Sequence, residues 1–277
     1  MAPSSSEVSA TGDDNDPRRG GPNRPDGWET VDAAIGETAK PVLEIGRAWM
    51  MDPATAARAA ELELHGPFGF WTSGRAGVLG EVDADVVAAA IGFMAPSQIR
   101  SYWENRPAGV PPAALTEAYA AAAAEWGRRA FDSLPETDLR RLAELSDRIA
   151  AAANPSTGVL FAAWRNVPRP DDAAGAATVA LNVLRELRGG AHLSAAHAVG
   201  LGPHGAILST DDPVRGGVPW AERFGWSAPH PEPDPVRRAE AERLTTLICR
   251  HAYDGLNDRE LAVFSNLVIA ARATLDD

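Results

Sequence analysis

The octet Arg185-Glu186-Leu187-Arg188-Gly189-Gly190-Ala191-His192 ends a long apolar pattern that starts near Ala173. The run before it is rich in Ala, Val and Leu. It reads as a helix, because Ala loses no side-chain entropy there and Leu loses little. Two successive glycines are a common way to end such a helix. A helix end does not need Glu, Arg and His packed around its glycines, so the octet is also a candidate polar site. The pattern therefore predicts a helix from about 173 to the glycines and a second over residues 192–199.

Outward from the octet the text stays helical. Towards the C-terminus, 202–219 is rich in Gly, Pro and Asp, with a short strand expected at Ala206-Ile207-Leu208-Ser209. A proline-rich linker at 228–235 precedes helices over 236–253 and 258–274. Towards the N-terminus, Pro168-Arg169-Pro170-Asp171-Asp172 is a turn and cap. Before it, helices are expected over 113–131, 135–153 and 157–165. Asp52-Pro53 and Asp83 are N-cap signals, the first with proline at the favoured first helical position. They open helices to about Leu64 and Met94, with short helices at 68–77 and up to about 104. The first helix is expected at 41–51. Residues 1–27, rich in Ser, Gly, Pro, Asp and Asn and without an apolar face, are expected to be disordered.

The chain has 277 residues, a formal charge of −12 and 45% apolar residues, the composition of a globular protein with an adequate core. The negative field disfavours nucleic acid unless cations cluster on one face, and an anionic membrane surface as well. Nothing resembles a membrane span or a secretory signal, and Cys249 is the sole cysteine, so a reducing cytoplasm is the expected setting. Cys249 lies in the apolar run Leu247-Ile248-Cys249 and reads as a buried structural thiol.

Three stretches carry a family resemblance. The first is Gly69-Phe70-Trp71-Thr72-Ser73-Gly74-Arg75-Ala76-Gly77-Val78-Leu79-Gly80, followed by a Val-rich helix and Phe93-x-x-Pro96. The second is Phe161-Ala162-Ala163-Trp164-Arg165-Asn166-Val167-Pro168 with Pro170-Asp171-Asp172. The third is Leu184-Arg185-Glu186-x-Arg188-Gly189-Gly190-x-His192. In order and spacing they resemble the actinobacterial SalK-type helix-turn-helix family, over about residues 42–274. Gly190 departs from the pattern, where the family often has an acidic residue. The resemblance implies a mainly α protein of two winged-helix-like helical modules, 28–153 and 154–277, with at most short β-wings. A shift of 122 residues lays Gly66–Gly80 on Arg188–Gly202, a faint sign of duplication that pairs Phe70 with His192 and Arg75 with His197.

Two constellations could carry chemistry. Glu186, Arg188 and His192 join a carboxylate, a guanidinium and an imidazole, next to glycines that let a ligand approach the backbone. Phe70, Trp71 and Arg75 form an aromatic floor beside a cation, since 71 and 75 share a helix face, which suits a flat or anionic small molecule. Each also has a plain structural reading: a charged helix end, and a core aromatic beside an arginine paired with a residue such as Glu81. No phosphate loop, GxSxG or HExxH pattern occurs, His192 and His197 are not at metal-pair spacing, and the residues leave any cofactor unknown. The leading expectation is a small-molecule-binding protein, with regulation in view and a pocket between the modules. The alternatives are a DNA-binding regulator, weakened by the charge and by only Arg259 and Arg272 in the closing helix, and an enzyme using His192 and Glu186 as acid and base. A homodimer is compatible with all three.

Overall fold

The computed structural model describes residues 28–212 and 216–276; the tail expected to be disordered, 1–27, lies outside them. Among the described residues every regular element is helical and there is no strand, so the protein is mainly α. Among the described residues no helix is long and apolar enough to cross a membrane. The order is α1 (Trp28–Met50), α2 (Pro53–Glu61), α3 (Gly69–Ala76), α4 (Ala84–Ile91), α5 (Pro96–Glu104), α6 (Pro112–Ala130) and α7 (Glu136–Ala152). There follow α8 (Val159–Trp164), α9 (Ala173–Ala198), α10 (Gly202–Leu208), α11 (Gly217–Arg223), α12 (Pro235–Tyr253) and α13 (Asp258–Ala273).

The capping signals act as expected. Asp52, Asp83 and Asp172 accept hydrogen bonds from the first-turn amides of Ala54, Asp85 and Gly175. Each satisfies a donor that the helix itself cannot. Asn257 and Glu260 form a reciprocal capping box that starts α13.

Helix α9 is the axis of the molecule. It packs against α1, α6, α7, α8 and α12, while α1 also packs on α13. One continuous apolar cluster runs from Val31 of α1 to Ala271 of α13, with Trp49, Trp103, Trp164, Phe161 and Phe264 almost fully enclosed. It draws on helices from both sides of residue 153, and α7 lies directly along α9.

Three sequence expectations are corrected. First, α9 does not stop at Gly189-Gly190 but runs through them to Ala198. The reason is a close approach: a Cβ on Gly190 would sit 2.6 Å from the Thr157 carbonyl oxygen and 2.7 Å from Gly158 Cα. The glycine makes room for a neighbouring backbone, and burial of α9 on several sides outweighs the propensity cost. Second, α1 starts at Trp28 and carries Pro41 inside it. Its residues Val31, Ala34, Ile35, Thr38, Val42, Ile45 and Trp49 form one buried stripe, and this packing overrides the lost proline donor. Third, the strand expected at 206–209 is helix α10, buried through Ala206, Ile207 and Leu208. A short apolar run has no period of its own, so tertiary packing decides. Beyond it α11, for which no expectation was formed, packs Trp220 on Phe224 at 5.2 Å.

Candidate polar site on helix α9

Short helix α3 places Arg75 in the core by burying nearly every residue on both sides of it. Its guanidinium donates Nε to Glu186 Oε1 at 2.8 Å and Nη2 to Oε2 at 2.7 Å, a bidentate pair in which Glu186 is 1% exposed. Arg185 adds a third bond, Nη1 to Glu186 Oε1 at 3.1 Å. Burial pushes the Glu186 carboxyl up, but the charges and hydrogen bonds of Arg75 and Arg185 outweigh it, and its pKa falls below the usual carboxylate value. Trp71 is half-buried one turn earlier, with the Arg75 guanidinium 4.8 Å from its ring centre. Phe70 is buried edge-on against Tyr119 at 5.0 Å. Trp164 of α8 closes the site by donating its indole N–H to the Arg75 carbonyl at 2.9 Å. The partner of Arg75 is thus Glu186 rather than Glu81, which binds Arg106.

Arg188 and His192 belong to a second cluster, against α12. They are one turn apart on α9 and share a face. Arg188 pairs with Glu242, which also holds Arg238 at 2.5 Å. His192 is 7% exposed, and Phe93 stacks on it at 5.6 Å. Its tautomer follows from the network. Thr245 gives its hydroxyl proton to the Ala241 carbonyl at 2.7 Å, so it accepts from His192 Nδ1 at 2.9 Å. Nε2 is left to accept from Arg238 at 2.8 Å. The imidazole is neutral, and burial together with Arg238 and Arg188 pulls its pKa down to about 4, against the raising effect of Glu242.

Glu186 and His192 are six residues apart, which on a helix means about 9 Å along the axis and directions about 120° apart around it. The structure therefore does not bring the expected acid–base pair together. Glu186 is committed to two guanidiniums, and the free nitrogen of His192 is committed to Arg238. Of the six candidate residues, Trp71, Arg75 and Glu186 meet on one side of α9, Phe70 is buried next to them against Tyr119, and Arg188 and His192 lie on another side, against α12. A groove of about 330 Å³ lies elsewhere, lined by Asn154, Thr157, Leu187, Ser194, Ile248 and His251. Among the described residues no group of three or more His, Cys, Asp or Glu is placed to hold a metal ion.

Sequence reasoning missed Arg238, Glu242 and Thr245, because nothing local links α12 to α9. It also passed over Asn182, although this stands four residues before Glu186 as a polar break in an apolar face, and it gave Arg185 no role. Tyr119 and Trp49 gave no signal beyond ordinary core aromatics.

One helix pair has the helix lengths and the short glycine-containing turn of a helix-turn-helix. Eight-residue α4 is followed by Gly92, at φ 78, three further residues and nine-residue α5. The outer face of α5 exposes Ser97, Arg100, Ser101 and Glu104. Arg100 is the one cation among these four, and it is held by Asp85 at 2.5 Å. A family model described as a helix-turn-helix family matches residues 36–234, a span that includes α2 to α11 in full. No curated protein and no solved structure matches the chain.

Proposed function

The chain belongs to this helix-turn-helix family, and from that premise we propose that it is a regulatory protein whose input is a small molecule. Within the family we place it in the SalK-type, actinobacterial branch, on the three stretches at 69–80, 161–172 and 184–192. The boundary near residue 153 enters as a trace of ancestry between two modules, and the protein is taken to work in the cytoplasm. The ligand lies against Phe70, Trp71, Arg75 and Glu186, while Arg188 and His192 tie the same helix to α12 and pass occupancy on.

The observation that carries this reading is the polar junction of α3 and α9. A bidentate ion pair with an aromatic ring beside it lies buried in the helical core. Buried ion pairs add little net stability compared with apolar packing, so a polar junction at that depth is better suited to recognition than to holding the fold. Native and denaturing mass spectra of the purified protein test it, and the native spectrum also reports any homodimer. A co-purifying small molecule in the wild type, lost in Trp71→Leu, supports the proposal. Equal masses together with no thermal stabilisation by any member of a metabolite panel overturn it.

The α4–α5 geometry favours a second reading, in which α5 contacts duplex DNA. Charge opposes it. Arg100, Arg128, Arg129, Arg140, Arg243 and Arg272 each already sit on a carboxylate, and phosphate contacts need cations that are free to replace counter-ions. Duplex binding that weakens steeply with salt, and weakens again in Arg100→Gln, would establish this reading in place of the first.

A further inference from the structure

Two guanidiniums and one carboxylate meet at the centre of the molecule. Arg75 and Arg185 both bond to Glu186, whose two oxygens they fill. A further cation that acts on Arg185, Arg47 of α1, is balanced separately by Asp212 at 3.6 Å. One positive charge is left over at a site where Glu186 is 1% and Arg75 7% exposed. Burial keeps the Tyr119 hydroxyl protonated, so it does not supply the missing negative charge.

Around this surplus charge stand polar groups with no partner. The Arg185 Nε, the Tyr119 hydroxyl, both ends of the Asn182 amide and the Trp49 indole N–H are all buried and unbonded. By spacing, Asn182 is the helix-face neighbour of both Arg185, at i+3, and Glu186, at i+4. The side chain of Arg185 lies over Gly46 of α1, where a Cβ would come within 2.6 Å of its Cδ. Trp49 is one turn further along α1 and packs on Tyr119 of α6 with ring centres 4.6 Å apart. Donors outnumber acceptors in this set, and each buried donor left unpaired is costly. Water would satisfy the donors but not the charge.

We infer that the junction of α1, α6 and α9 binds a small monovalent anion, held by Arg185, Asn182, Tyr119 and Trp49. The anion is a free halide or the carboxylate end of a larger ligand. The second source rests on the small-molecule reading of the α3–α9 junction, and the first does not. Arg185 is the side chain through which the site meets solvent, being 16% exposed.

Thermal unfolding of the full chain tests the site. Wild type and Arg185→Gln are followed as sodium chloride, and separately sodium acetate, is raised from low millimolar to a few hundred millimolar. General screening acts on both proteins, so the difference between them isolates the site. The wild type gains several degrees more than the variant, because an anion bound only to the folded state stabilises it by mass action. At the lowest salt Arg185→Gln is at least as stable as wild type, since the surplus charge is gone. A response to chloride identifies a free halide, and one to acetate alone identifies a carboxylate. Tyr119→Phe, which removes a donor and no charge, raises the anion concentration needed several-fold. Parallel salt curves for wild type and Arg185→Gln, or an unchanged requirement in Tyr119→Phe, overturn the inference. A co-purifying ligand that survives such a result would leave the small-molecule reading standing.

Discussion

Replacing the two glycines of α9 by alanine, one at a time, should move stability in opposite directions. A glycine inside a helix costs about 1 kcal/mol relative to alanine, so both variants start with that gain. At position 189 the new Cβ meets only Arg75 Nη2, at 3.9 Å, an ordinary contact. At position 190 it meets the Thr157 carbonyl oxygen at 2.6 Å and Gly158 Cα at 2.7 Å. Both are backbone atoms and cannot swing away as a side-chain tip does. Overpacking of this kind costs about 1–3 kcal/mol, and backbone against backbone belongs at the upper end. Gly189→Ala is therefore expected to be stabilised by up to about 1 kcal/mol, and Gly190→Ala destabilised by about 1–2 kcal/mol. In a chain of this size that corresponds to about 2–4 °C per kcal/mol. Urea unfolding gives the sign directly, provided the slope with denaturant stays constant. If Gly190→Ala matched or exceeded the wild type, the close approach of α9 to residues 157–158 would be wrong. Equal losses in both variants would mean that the glycines end the helix after all.

Glu186→Gln leaves Arg75 and Arg185 buried without their carboxylate and should cost about 3–5 kcal/mol in urea unfolding; adding Arg75→Gln should recover part of that loss, and strict additivity would deny the pairing. His192 binds fewer protons folded, with a pKa of about 4, than unfolded, where it titrates near 6.5. Stability is therefore lost as pH falls from about 6.5 towards 4, by an amount on the order of 3 kcal/mol, with the loss complete below both values. Arg188, Arg238, Glu242, Thr245 and Phe93 surround the ring. His192→Gln should flatten that acid limb, and an unchanged pH profile would show that the ring is not held neutral. Cys249 is buried and its thiol is pushed up to about 11, so in the native protein at mildly alkaline pH it should resist a thiol reagent until urea unfolds the chain. Fast labelling of the folded protein would contradict its burial.

Much of this protein was legible without coordinates because its signals are local. Asp52, Asp83 and Asp172 announce helix starts through bonds to amides two or three residues away, and the period of α13 shows its buried face through Leu261, Phe264 and Val268. Helical content, the pairing of Trp71 with Arg75 and the family motifs all follow from spacing along one chain segment. What tertiary structure decided is every case where a distant segment sets the local outcome. Gly190 resembles a helix end until Gly158 stands against it, and Pro41 resembles a boundary until the buried stripe of α1 carries the helix past it. Glu186 resembles half of an acid–base pair with His192 until Arg75, 111 positions away, takes both its oxygens. Sequence spacing fixes which side chains share a helix face, but the partner across the core is a matter of packing, and in a buried polar junction that partner decides charge, protonation and chemistry.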